Sequence, residues 1–371
     1  MRVAVLSRRG VSDATTSFPA YGVWTEAEDV LTQCVDAEVV QLPQSIRHPL
    51  VRVRRQAGRI ARSTLGADTA VPALQARSPA RQLRGEYDLI VFLAYSIWDL
   101  PLLERLGRLR NFSDRIAVWF LETWPSAYLD GRVKNEPFHT VDHIFVGLDV
   151  AVDPLAETIG RPVQYLPMST DVTRFGPATI DQERPIDLFV PGRRDEDQHR
   201  AMLSWAAAED RLYMYDTTVV GAPAELKPHR DALGERYAKT KITVCNYAKK
   251  DETKVIGQHR VMPGRLWEAL AAGCALVGDP PSSESQRAAF GRQVVTPLPE
   301  GADEVAPFLE NVIASRSHTE IAGQVALAYR GHDWAHRWGA LFDQVGLSTP
   351  AGLQARIDDL AERSRLLTAD L

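Results

Sequence analysis

The stretch Met262-Pro263-Gly264-Arg265-Leu266-Trp267-Glu268-Ala269-Leu270-Ala271-Ala272-Gly273 sets a guanidinium and a carboxylate near the start of a short helix. Pro263 suits the first turn, where its missing N–H costs nothing, and Gly273 can end the helix by supplying a left-handed residue. The exposed N–H groups and dipole of that helix start favour a phosphate. Glu268, one turn in, can accept hydrogen bonds from a sugar hydroxyl pair. A helix-strand unit with a capping charge is the plainer alternative. Five of the seven lysines lie from Lys239 to Lys254, and Arg260 and Arg265 follow. These cations can neutralise a diphosphate without a metal, or they belong to a solvated loop.

Three further groups carry chemistry. Glu122 follows the apolar run 115–121. In open α/β sheets, residues just past strand ends line the ligand crevice, so Glu122 is a candidate base or acceptor-binding carboxylate, with an ordinary strand-end carboxylate as the alternative. Asp195-Glu196-Asp197 has the Asp-x-Asp form of a divalent-ion site on diphosphate. Acids here also suit the first turn of a helix running through Met202 and Trp205, and that is the preferred reading. His332 and His336 have the spacing of two ligands on one helix face, but without a third they point to a structural role. No metal site is expected.

The elements that must position these residues alternate strand and helix. Apolar runs predict buried strands at 3–6, 39–42, 87–93, 115–121, 142–147, 186–190, 211–220, 241–247, 274–279 and 294–295. Thr25-Glu26-Ala27-Glu28 reads as a capping box opening a helix, and Asp99 and Pro101 open another through Leu103 and Leu106. Further helices are expected at 154–159, twice within 302–330, and at 357–367. The segment from Arg47 to Arg84 holds nine arginines and one acid, Asp68. Leu50, Val53, Ala57, Ile60 and Ala61 make a thin apolar stripe beside Arg52, Arg55, Arg59 and Arg62. The preferred reading is a solvated helix packed on its own domain; peripheral contact with an anionic membrane or acceptor is the alternative.

Composition narrows the class. A chain of 371 residues has length for two domains, and 45% hydrophobic with 25% charged residues is ordinary for a globular protein. The net charge of -5 argues against a surface built for nucleic acid. Cys34, Cys245 and Cys274 are far apart, without ligand or disulfide spacing, and fit a reducing cytoplasm. The opening apolar run is too short for a signal peptide, and no apolar stretch has the length of a membrane span. Neither Gly-x-Gly-x-x-Gly after the first strand nor any Gly-Lys dipeptide occurs, so nicotinamide enzymes and P-loop NTPases lose ground.

The segment 265–277 resembles the donor-site segment of GT-B glycosyltransferases, Glu-Ala-(Met/Leu)-Ala-x-Gly-x-Pro-Val-(Ile/Val), in which the counterpart of Glu268 holds the ribose of a nucleotide-sugar. Where many members carry another Glu eight residues earlier, this chain has Arg260. In this it is most similar to the CgeB-like glycosyltransferases, and His332 to Arg337 resembles their closing segment. Val163 to Phe175 resembles the family's interdomain segment, with Asp171, Arg174 and Phe175 matching and Ser169 in place of a common Gly. Gly192 and Arg193 match the family's Gly-Arg, whose Arg binds the donor diphosphate; the usual later Lys is Gln198 here.

The resemblance implies an α/β GT-B fold of two Rossmann-like domains facing a central cleft: an acceptor-binding domain at 1–168, a nucleotide-sugar-binding domain at 180–335, and C-terminal helices at 336–371 that can cross back to the first. It implies metal-independent transfer of a sugar from a nucleotide-sugar, such as a UDP- or GDP-sugar, to a hydroxyl on a glycan, lipid-linked or small-molecule acceptor, with no cofactor beyond that co-substrate. Donor binding is assigned to Gly192, Arg193, Arg265 and Glu268, with Lys254 and Arg260 from the cation cluster, and Glu122 is the candidate catalytic residue. The alternatives are a non-catalytic binding protein on the same scaffold and a nucleotide-sugar epimerase.

Overall fold

The computed structural model describes residues 1–7, 22–42, 83–99, 109–128, 136–216 and 226–369. The arginine-rich segment, apart from Leu83 and Arg84, and the helix expected through Leu103 and Leu106 lie outside the described residues.

Apolar runs that must be covered on both faces form two parallel sheets. The first orders its strands β2-β1-β3-β4-β5-β6, comprising β1 (Val3–Ser7), β2 (Ala37–Gln41), β3 (Leu89–Ala94), β4 (Ile116–Phe120), β5 (His143–Val146) and β6 (Gln164–Tyr165). The second runs β11-β10-β9-β7-β8, from β7 (Ile186–Val190), β8 (Tyr213–Tyr215), β9 (Thr240–Val244), β10 (Ala275–Gly278) and β11 (Thr296–Pro297). In each sheet the order reverses beside the first strand, between β1 and β3 and between β7 and β9. Such a switch point opens a crevice beyond the strand C-termini.

The helices, in chain order, are α1 (Gly22–Cys34), α2 (Val152–Ile159), α3 (Val172–Phe175), α4 (Glu196–Ala208), α5 (Leu226–Ala238), α6 (Thr253–Ile256), α7 (Gly264–Ala271), α8 (Glu284–Phe290), α9 (Ala302–Ser315), α10 (His318–Gly331), α11 (Trp334–Gln344) and α12 (Ala351–Thr368). Among the described residues, none is long and apolar enough to cross a membrane. The three cysteines are free.

The chain passes between the sheets twice, at 166–171 and at 332–334, and the two passages are bonded side by side. Ser169 Oγ donates to the His332 carbonyl at 2.7 Å, Trp334 N to the Thr170 carbonyl at 3.1 Å, and Val172 N to Asp333 Oδ2 at 3.0 Å. Arg356 of α12 clamps Asp171 and Asp333, at 2.7 and 2.8 Å. After the second passage Trp334 and Trp338, one helical turn apart, bury against Trp119 of β4 with ring centroids 5.9 and 5.7 Å away. The last helices therefore cover the first sheet.

Three local expectations differ from the structure. Thr25 does not cap α1, which runs from Gly22; Thr25, Glu26 and Glu28 are buried inside the helix, where Glu26 accepts from Thr170, Asp171, Arg230 and Trp334. The last strand pairs at Thr296 and Pro297, while Val295 just before it packs into the core. Pro263 stands as the N-cap of α7 in extended conformation, one residue outside the first turn, and Gly273 takes the left-handed form with φ 72°.

Candidate active site

The turn after β7 needs Gly192, whose φ of 70° is left-handed. Its N–H donates to Asp216 Oδ2 at 2.9 Å, which fixes the turn and leaves Arg193 over the crevice, about half exposed. Arg265, in the first turn of α7, donates from Nη1 to the Arg193 carbonyl at 3.0 Å. Gly192, Arg193 and Arg265 thus meet beyond the β7/β9 switch, beside a helix N-terminus that favours negative charge.

The loop after β9 faces them with both signs of charge. Arg193 pairs with Glu252 at 2.5 Å and Asp251 at 3.4 Å. Lys250 bridges Asp195 and Asp279. Burial alone would lower its ammonium pKa, but the bonds to these two carboxylates reverse that and hold it above the ordinary lysine value. Asp195 also caps α4, accepting from Asp197 N and Gln198 N at 3.1 Å, so it is committed to the helix start and Lys250. Arg260 is exposed and stacks over Tyr247 at 5.2 Å, and Lys254 is exposed on α6; neither joins the Arg193 group.

Glu122, just past β4, meets this loop from the first sheet. Its carboxylate accepts from Tyr95 Oη at 2.5 Å and Trp124 Nε1 at 2.6 Å, and pairs with Lys249 Nζ at 2.7 Å. Lys249 is held at φ 54°, a conformation that costs a non-glycine residue roughly 1–3 kcal/mol and persists only where the surroundings impose it. The loop after β9 is further pinned to the first sheet by Ser126 Oγ, which donates to the Val255 carbonyl at 2.9 Å, and by Ile256 and Val261 inside the first domain's core. Nearby, Ser285 N donates to Asp149 Oδ2 at 3.1 Å. The cavity left between Leu148, Asp149, Met262 and Trp267 is about 10 Å³, room for one water, so the cleft is shut here.

Glu268 lies behind the Arg193 group and is nearly buried. Oε1 takes a hydrogen bond from Arg230 Nη1 at 2.5 Å, while Oε2 has no partner among the described residues. Arg230, on α5, also donates through Nε and Nη2 to Glu26 Oε2 at 3.0 and 2.9 Å. Burial alone would lower the Arg230 pKa; the two carboxylates more than reverse it and keep the guanidinium charged. Glu26 completes its shell with Thr170 Oγ1, Asp171 N, Trp334 Nε1 and, at 3.4 Å, Arg174 Nη1. Arg230 and Glu26 are the partners that sequence reasoning missed: they stand 204 residues apart and no spacing connects them.

The two histidines are structural. His332 packs between Trp267 and Phe290, with ring centroids 4.8 and 5.0 Å away, and burial lowers its pKa to about 3. His336 Nε2 faces the Tyr329 carbonyl at 3.1 Å. No group of three His, Cys, Asp or Glu with metal-binding geometry occurs among the described residues.

Solved structures share this architecture. An alpha-glucosyltransferase in complex with UDP-glucose and DNA containing an abasic site aligns at 12% identity, over 93% of this chain and 99% of that one, with a TM-score of 0.55. The alpha-glucosyltransferase in complex with UDP aligns over the same shares, also at 12% identity, with a TM-score of 0.54. At this identity the likeness establishes the fold, which is GT-B: two parallel α/β domains facing a cleft. No protein-family model and no curated protein sequence matches the chain.

Proposed function

We propose that this protein is a glycosyltransferase that moves a sugar from a nucleoside-diphosphate sugar to an acceptor hydroxyl. The observation that carries the reading is the meeting of Gly192, Arg193 and Arg265 at the switch point of the second sheet. The absence of the first Glu, with Arg260 in its place, supports extending this reading to the CgeB-like pattern, which also lacks it.

Charge supplies the mechanism. As the glycosidic bond breaks, negative charge grows on the leaving diphosphate and positive charge on the sugar ring. Arg193, Arg265 and the α7 N-terminus offer fixed positive charge to that diphosphate, which supports metal-independent transfer. The incoming phosphates must displace Asp251 and Glu252 from Arg193. Glu268 holds the ribose through Oε2 while Arg230 fixes Oε1, and Glu122 stands on the acceptor side as a positioning carboxylate. Donor entry requires the loop after β9 to leave the first sheet, and its return excludes water.

UDP-glucose, named with a neighbouring fold, is the first donor to try. The DNA of that structure is not carried over, because this chain bears a net charge of -5. A lipid-linked acceptor at the cytoplasmic membrane face suits the arginines between 47 and 84.

The test is turnover of a panel of nucleotide-sugars in EDTA, with and without mixed hydroxyl acceptors. Release of nucleoside diphosphate, reduced about 10–100-fold in Arg193→Met, is expected for loss of a charged hydrogen-bonding pair. Binding without turnover would instead establish a non-catalytic protein, and an altered sugar without diphosphate release an epimerase.

A further inference from the structure

We infer that a second ligand site lies at the opposite end of the second sheet, where a cavity binds a small organic anion: one phosphate- or carboxylate-type head on a short hydrocarbon body. The cavity has a volume of about 180 Å³ and is lined by Arg184, Arg316 and Lys241 together with Ile242, Ile313 and Ile321. A dry cavity of roughly 150 Å³ holds a benzene-sized molecule, so this one has space for a head group and a few carbons.

Its polar wall carries two guanidinium groups that make no salt bridge among the described residues. Arg184 is 9% exposed and directs Nη1 and Nη2 to the carbonyls of Thr240 and Ala272, each at 2.8 Å. Arg316 directs Nη2 to the Gly273 carbonyl at 3.0 Å and to Gln324 Oε1 at 2.5 Å. The Nε of both arginines is buried with no hydrogen-bond partner among the described residues. The carboxylates around the cavity serve other groups: Asp187 takes Lys241 at 2.7 Å, Asp181 takes His318 at 3.0 Å, and Glu320 folds back on Ser317 N at 2.9 Å. The buried Arg184 and the partly buried Arg316 thus have carbonyl partners but no salt bridge among the described residues, Glu320 reaching Arg316 only through its field. Burial accordingly lowers the pKa of Arg316. An anion in the cavity beside the two guanidinium groups would supply the missing charge, and guanidinium is the side chain best matched to phosphate and carboxylate. The isoleucines supply an apolar wall for the body.

This site is separate from the cleft. Lys241 and Ile242 lie at the start of β9 and Ala275 opens β10, whereas Arg193 follows the C-terminal end of β7. The same arginines hold the carbonyls that end α7, the helix that Arg265 begins.

The test is thermal unfolding of the full chain at fixed ionic strength with n-butyl phosphate, hexanoate, inorganic phosphate and n-butanol. Butyl phosphate or hexanoate should raise the midpoint by about 2–4 °C at ten times its dissociation constant, more than inorganic phosphate does, and butanol should not. Whichever of the two acts more strongly names the head group. The rise should vanish in Arg316→Gln and in Ile313→Trp, which fills the cavity without touching its charges, and Ile313→Trp decides alone if Arg316→Gln does not fold. A rise that survives both variants, one lost instead in Arg193→Met, an equal rise with butanol, or no rise with any anion would overturn the inference. None of these outcomes depends on sugar transfer, so this inference and the proposed function fail separately.

Discussion

Arg230 Nη1 stands 2.5 Å from Glu268 Oε1, with both side chains almost closed to water. Because the same guanidinium reaches Glu26 of α1, the carboxylate assigned to the donor is tied to the first domain through a single buried cation.

Removing that cation leaves Glu26 and Glu268 buried without it. Arg230→Met should therefore lower unfolding free energy by about 3–5 kcal/mol, measured by chemical denaturation. A loss below about 1 kcal/mol would show that the network relaxes or admits water, and that Glu268 is not fixed by Arg230.

His332 makes stability pH-dependent. Its pKa of about 3 in the folded protein lies below the ordinary histidine value of about 6.5, because burial penalises the imidazolium first and Arg337, His336 and Arg330 oppose it further. The unfolded chain takes up a proton that the folded chain refuses, so this contribution is complete above pH 6.5 and is lost as pH falls from there toward 3. The expected slope from this group is about 1.4 kcal/mol per pH unit within that window. His332→Gln should flatten the wild-type curve between pH 6.5 and 5; an unchanged slope would contradict the assignment.

Glu122 and Lys249 join the two domains at 2.7 Å, on the strained turn after β9. A double-mutant cycle with Glu122→Gln and Lys249→Met should give a coupling energy of about 0.5–3 kcal/mol, as for residues in direct contact. If turnover is established, Glu122→Gln should keep the wild-type pH profile of kcat, since the carboxylate positions groups rather than accepting a proton. A lost basic limb would make it the catalytic base. Additive effects on stability would mean the pair does not hold the domains together.

Much of the fold was legible because parallel strands covered on both faces must be continuous apolar runs. Gly273 ends α7 for a local reason too, since few residues accept its left-handed φ of 72°. What local pattern could not supply was tertiary satisfaction. Thr25 and Glu28 have capping-box spacing, yet the helix continues three residues earlier because Glu26 is needed inside a network assembled from α1, α3, α5, α7 and α11. Trp334, in the segment 332–337 that resembles the family's closing one, packs with Trp338 against Trp119 in the core of the first domain, a partnership that no local spacing encodes. In the cation-rich stretch, Asp251 and Glu252 were present all along, but which lysine or arginine each would take depends on a turn conformation at Lys249 that composition does not encode.

The proposed activity requires the cations gathered at the β7/β9 switch to hold a nucleotide's diphosphate. Calorimetric titration of UDP in EDTA, comparing wild type with Arg193→Met and Arg265→Met and using uridine as the phosphate-free control, tests it most directly. UDP is expected to bind, each substitution to weaken it about tenfold or more, and uridine affinity to stay unchanged. Failure of UDP and of other nucleoside diphosphates to bind, or an affinity in both variants equal to that of the wild type, would contradict it.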